Sequence, residues 1–237
     1  MRAAALFLAG VLAFAQERPA FEVASIKGNP DAPFVGLRLD TFPDGRLSAR
    51  NVTVFYLLRN VWALGALQIS GGPAWVKERG FDIQAQPAPR AEPISRSQIF
   101  LMLQSLLEDR FKLKWHRETR EVSAYALKVV DGGSKLGPPR QARGSILPGN
   151  LDAPSTTIGS LLATLEPEFD RPVIDQTGLA GPYSIHLAWA SERALIPDQS
   201  LPSLFTAMQE QLGLRLEPTK VFMDIFVIES VAMPSEN

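Results

Sequence analysis

Asp175, Thr177 and His186 are the residues of this chain whose types could carry hydrolytic chemistry: a carboxylate and an imidazole to move a proton, with a hydroxyl between them. A water-activating pair of carboxylates would need a second acid at an equivalent corner. The matching corner, Ile69-Ser70-Gly71-Gly72-Pro73, has none, and Gln176 separates Asp175 from Thr177-Gly178. The plainer chemistry is local. Asp175 and Thr177 can accept from turn amides, and Gly71, Gly72, Gly178 and Gly181 can take positive φ. We read both corners as structural turns and expect no catalytic residue; the alternative is an exported hydrolase with its site around Asp175, Thr177 and His186.

Other templates find less. The chain holds 2 histidines, His116 and His186, and no cysteine, so neither a His-Glu-x-x-His pair nor a thiolate set is present; we expect no metal and no cofactor. A Gly-x-Ser-x-Gly elbow and a Ser-x-x-Lys pair are both missing, and Gly133-Ser134-Lys135 lacks the spacing of a phosphate loop. Asn51-Val52-Thr53 reads as a helix start. In the run Glu108 to Arg120, the residues Arg110, Lys112, Lys114, His116 and Arg120 alternate with Phe111, Leu113 and Trp115, which predicts a solvated basic strand face, partly neutralised by Glu118 and Glu121. Among the aromatics, Trp75, Trp189 and Tyr183 are candidates to line a groove for a ligand or partner.

Helical spacing i, i+3, i+4, i+7 recurs at Val54/Leu57/Leu58/Val61, Ile99/Met102/Leu103/Leu106, Ile158/Leu161/Leu162/Leu165 and Leu201/Leu204/Phe205/Met208. Each set is one apolar stripe that must find a partner surface. Thr53 and Thr157 can cap the first and third helices, Ser95 with Gln98 has capping-box spacing, Ser200 before Pro202 marks the last start, and Gly213 its stop. Strands are predicted at Phe21 to Ile26, with a hairpin turning at Pro43-Asp44-Gly45, and at Tyr183 to Leu187, with Tyr183, Ile185 and Leu187 inward. Shifted by about a hundred positions, Leu47 to Val54 lies on Leu151 to Ile158, and Phe81 to Ala85 on Tyr183 to Leu187. Phe111-Lys112-Leu113 likewise lies on Leu214-Arg215-Leu216. These matches predict an internally duplicated α+β fold of strand-helix-strand-strand units, with antiparallel sheets and helices packed on one face. The expected layout is a signal peptide at 1–15, an N-terminal α+β half at 16–130, a Pro/Gly-rich linker or loop at 131–154 and a C-terminal α+β half at 155–237.

Met1-Arg2, the apolar run Ala3 to Phe14 and the small-x-small Ala13-Phe14-Ala15 have the order of a signal peptide. That apolar run is shorter than the roughly 20 residues that cross a bilayer as a helix, so no membrane span is expected in the mature form. With a formal net charge of −1 the chain has no global attraction to nucleic acid. Export without cysteine leaves stability to packing.

Taken together, "FEVASIK", "GRLSARNVT", "QISGGPAW", "LLEDRFKLKWHRETREVSAYAL" and "RPVIDQTGLAGPY" resemble the soil-associated family of exported bacterial proteins, a domain of unknown function. In related proteins the domain is fused behind membrane-embedded metallopeptidases of the beta-lactam sensor type. The resemblance spans nearly all of the chain after the signal peptide and implies an extracytoplasmic domain without established catalytic residues. "TGLAGPYSIHL" followed by "LFTAMQEQLGLRLE" is also similar to the short N-terminal domain of secretins and TonB-dependent transducers, with a longer connecting loop here. The expected function is a periplasmic or secreted, non-catalytic binding or interaction module whose partner is an envelope protein or a small envelope ligand.

Overall fold

The computed structural model describes residues 18–31, 35–89, 92–194, 198 and 200–235. The expected signal peptide lies outside them. In chain order the elements are β1 (Val23–Asn29), β2 (Arg38–Thr41), β3 (Leu47–Val52), α1 (Val54–Val61), β4 (Ile69–Gly71), α2 (Trp75–Glu78), β5 (Gly80–Gln86), α3 (Arg96–Arg110) and β6 (Lys114–Val129). There follow β7 (Ser145–Leu147), β8 (Asn150–Thr156), α4 (Ile158–Leu165), β9 (Val173–Asp175), β10 (Tyr183–Ala188), α5 (Leu204–Leu212) and β11 (Leu214–Ser230). The class is α+β.

Helix starts follow from single side chains. Thr53 and Thr157 accept from the Tyr56 and Ser160 amides, and Ser95 and Gln98 cap each other's backbone. The start of α5 differs from the sequence expectation. Ser203, not Ser200, is its N-cap, and Leu201 precedes the helix. Pro202 disfavours helical geometry at Leu201. Ser200 instead closes a local turn, donating its amide and hydroxyl to Asp198 at 2.9 and 2.6 Å. The buried stripe of α5 is therefore Leu204, Ala207, Met208 and Leu212, and Phe205 is exposed.

The described chain forms two compact units that interleave along the sequence: residues 18–62, 72–114 and 230–235 make the first, and 63–71 with 115–229 the second. In the first, an antiparallel sheet has the order β1-β5-β3-β2, and the expected hairpin joins β2 to β3 with Gly45 at φ 84. Ile26, Leu47, Ala49, Phe81, Ile83 and Ala85 line the inner face of this sheet, and with Leu57, Leu58, Leu103 and Leu107 of α1 and α3 they are buried. Removing such side chains from water is worth about 1.5 to 3 kcal/mol each before entropy is subtracted. Phe81 meets Phe111 edge-on at 5.2 Å.

In the second unit, a three-stranded sheet β10-β8-β7 and a four-stranded sheet β4-β11-β6-β9 surround a core of Leu151, Ile158, Leu161, Ile185, Leu187, Met208 and their neighbours. The stretch 131–154, read above as a linker or loop, contains β7 and most of β8, turned at Pro148-Gly149. Its start is also tied down: the Lys135 amide donates to Leu212 at 2.9 Å.

The four-stranded sheet carries two parallel edges, which the sequence reading did not foresee. Ile69, Ser70 and Gly71 of β4 pair with Phe226, Val227 and Ile228 of β11, while Val173, Ile174 and Asp175 of β9 pair with Tyr125, Ala126 and Leu127 of β6. The element order β3, α1, a short 3-10 turn, β4, α2, β5, α3, β6 matches β8, α4, a short 3-10 turn, β9, β10, α5, β11 except for α2, which has no equivalent between β9 and β10. Helix α5 is capped by left-handed Gly213 at φ 66, directly before buried Leu214, whereas α3 is capped by Phe111 and the left-handed residue, Lys112 at φ 52, comes one position later, before buried Leu113. Leu113 and Leu214 thus each follow a left-handed residue after a helix, whereas the sequence comparison set Phe111 against Leu214.

Candidate functional site

The acidic corner is a closed local network. Asp175 Oδ1 accepts from the Thr177 amide at 2.9 Å and the Thr177 hydroxyl at 2.7 Å, and Thr177 Oγ1 accepts from the Leu179 amide at 3.1 Å. Gly178 and Gly181 follow at φ 68 and 106. At the other corner Gly71 and Gly72 take φ 79 and 77, and a Cβ on Gly71 would stand 2.6 Å from the Ile228 carbonyl oxygen. His186 is exposed on β10 opposite Asp152 in the three-stranded sheet, whereas Asp175 ends β9 in the four-stranded one. Among the described residues, the Asp175 and His186 side chains share no hydrogen bond. No group of three or more His, Asp or Glu among them is placed to hold a metal ion.

His116 lies exposed on β6, its Nδ1 2.7 Å from Glu229 of β11. The basic face expected from Arg110 to Arg120 is broken at its start. Arg110 belongs to α3, and Lys112 is left-handed, so that the Phe111 and Leu113 amides both donate to the Leu107 carbonyl at 3.2 and 3.3 Å. Farther along, Glu118 accepts from Arg120 at 2.6 Å, and that hydrogen bond lowers the Glu118 carboxyl below its ordinary range.

The three aromatic candidates separate. Trp189 is 3% exposed, packed among the core side chains of the second unit, and its Nε1 donates to Glu168 at 3.3 Å. It therefore lines no groove: it directly follows a strand whose inward residues, Ile185 and Leu187, lead it into the core. Tyr183 is half-buried on the same strand and donates its hydroxyl to the Ala180 carbonyl at 2.9 Å, which closes the turn behind Asp175. Trp75 opens α2 in the first unit and lies edge-on to Phe81 with ring centres 6.2 Å apart.

Around Trp75 is a cleft of about 760 Å³, lined also by Asn29, Asp31, Glu78, Arg79 and Met233. Antiparallel pairing of Asn29 with Gly80 brings the end of β1 beside the end of α2. The C-terminal tail is brought in by the Ala232 amide, which donates to the Phe111 carbonyl at 2.7 Å. The indole and thioether supply apolar surface, while Asp31, Glu78 and Arg79 supply charges that no ion pair among the described residues engages. A volume within the roughly 300 to 1,000 Å³ of small-molecule sites, with an aromatic wall and a few polar groups, suits binding and orientation of a ligand. The quoted run ends at Trp75; Asn29, Asp31, Glu78, Arg79 and Met233 were not singled out in the sequence.

Fold and cleft together define an α+β protein of two interleaved units with a pocket in the first. The chain belongs to the family described as "Protein of unknown function (DUF3738)", whose model matches residues 56–231. No curated protein and no solved structure shows a significant match.

Proposed function

We propose that this protein is an exported, non-catalytic binding module of the bacterial cell envelope that takes up a small envelope ligand or a segment of an envelope protein in the cleft at Trp75. The cleft carries the reading: an indole, a thioether and three charged side chains that no ion pair among the described residues engages line one open cleft. The likeness to soil-associated exported proteins, and to domains fused behind sensor-type metallopeptidases, supports an extracytoplasmic place for it. A tandem duplication is part of the proposal. It is supported by the element order, which matches except for α2, by the left-handed residue after each of α3 and α5, and by the reciprocal registers of β4 on β11 and β9 on β6.

The test is affinity capture from an envelope extract by the wild-type chain and by Trp75→Ala, with tryptophan fluorescence following the eluted ligand. Retention by the wild type and loss of at least tenfold in affinity for Trp75→Ala is the expected result. Equal retention by both would remove the cleft from the account.

A further inference from the structure

The outer face of the β1-β5-β3-β2 sheet, opposite its buried face, carries a row of charges that the cleft does not use. Arg38 of β2 stands directly across from Arg50 of β3 in the antiparallel register. Side chains in such positions have Cβ atoms about 4.5 to 5.5 Å apart, and like charges there repel. On β5 the neighbouring acid is Asp82, and beyond it on β1 is Lys27, its direct partner. Asp82 keeps its charge but forms no ion pair with either arginine: its Oδ1 accepts from the Asn51 amide at 2.8 Å and from Asn29 Nδ2 at 2.7 Å. Asp40 lies two residues along β2, opposite Ser48. Among the described residues neither Arg38 nor Arg50 is in an ion pair. The two arginines, with Asp40, Ser48, Asp82 and Gln84, line a depression of about 410 Å³. Gln84 Nε2 donates to Ser48 Oγ at 2.8 Å, which fixes the floor of the depression beside the arginines.

We infer that the Arg38–Arg50 pair is an oxyanion site, taking a phosphate or a carboxylate between two guanidinium forks. Each guanidinium presents parallel N–H donors that match two oxygens of such a group, and an anion between them turns the cross-strand repulsion into attraction. Asp40 and Asp82 flank the site and limit it to small, partly charged groups rather than polyanions. This site is separate from the cleft at Trp75, and either can fail without the other.

The experiment is a titration of the full chain, at low ionic strength, with inorganic phosphate in one arm and acetate and glucuronate in another. It is followed by the arginine Nε–H resonances in NMR and by calorimetry. The expected result is a saturable shift of the Arg38 and Arg50 signals. Arg38→Ala and Arg50→Ala should each weaken binding at least tenfold, and Arg50→Lys should weaken it by less. Both side chains are exposed and repel each other, so thermal melts of the variants should not fall below the wild type. The arm that binds identifies the source of the anion. If the signals of Arg38 and Arg50 move no more than that of exposed Arg117 in every arm, or if the alanine variants bind as the wild type does, the site does not exist.

Discussion

The corners at Gly71 and at Asp175 do one job with different chemistry. Each ends a three-residue strand that joins a long strand in parallel, and each must then turn the chain away. At Gly71-Gly72 the turn is made by backbone freedom, two successive left-handed glycines against a carbonyl oxygen. At Asp175 it is made by side chains, with a carboxylate and a hydroxyl holding the amides of Thr177 and Leu179 on either side of left-handed Gly178. An acid here is thus an alternative to a glycine. That is why a residue type associated with catalysis can be explained by geometry.

The comparison is most sharply broken at Gly71. A Cβ there meets a backbone oxygen at 2.6 Å with φ at 79, so Gly71→Ala should lower stability by about 3 kcal/mol, read from the urea midpoint. Asp175→Ala loses hydrogen bonds but creates no clash; it should cost about 0.5 to 2 kcal/mol. A hydrolase built on Asp175 would instead lose its activity at unchanged stability, and that outcome would reverse our reading of the corner.

The helix ends give a smaller effect of opposite sign. Lys112 is the left-handed residue after α3, as Gly213 is after α5. Replacing it by glycine relieves backbone strain of about 1 to 2 kcal/mol, partly offset by the greater freedom of glycine in the unfolded chain. Lys112→Gly should therefore raise stability by about 0.5 to 1 kcal/mol, seen as a higher melting temperature. No change would mean that Lys112 is not strained.

Smallest is the effect at the cross-strand pairs. Lys128 to Glu217 at 2.6 Å and His116 to Glu229 at 2.7 Å both bridge β6 to β11. The hydrogen bond from Lys128 holds the Glu217 carboxyl below its ordinary value of 4.5. A lowered carboxyl contributes stability that is complete above that ordinary value and is lost as pH falls through the folded one. Lys128→Ala should leave a shallower loss of stability on the acid side of 4.5, and little change near neutrality beyond the pair itself, in melts compared across pH. An acid limb identical to the wild type would show that solvent already screens the pair.

Much of this could be read from residue order. Apolar spacing placed α1, α3 and α4, because a helix repeats within one turn and its caps are single residues. Alternation placed β10 correctly, with Ile185 and Leu187 buried and His186 exposed. The parallel edges β4 and β9 escaped because three residues have no period, and their partners lie far along the chain. Helix α5 was begun early because Leu201 fits the stripe, while the constraint from Pro202 acts one residue before it. At the cleft, Trp75 was legible as an aromatic near a corner, but nothing local marks Asn29 or Met233, which long-range pairing delivers. Trp189 shows the converse: the same residue type, carried inward by the alternation of its strand.

The interleaving of the two units has a consequence for how the protein is made and handled. Neither can be cloned as one uninterrupted fragment, because each takes pieces from both sides of the other. In order of synthesis the first unit lacks its closing piece, residues 230–235, until both segments of the second have been made. The contacts of the first unit are therefore completed only after the second has been made, and removal of residues 230–235 should weaken the region encoded first.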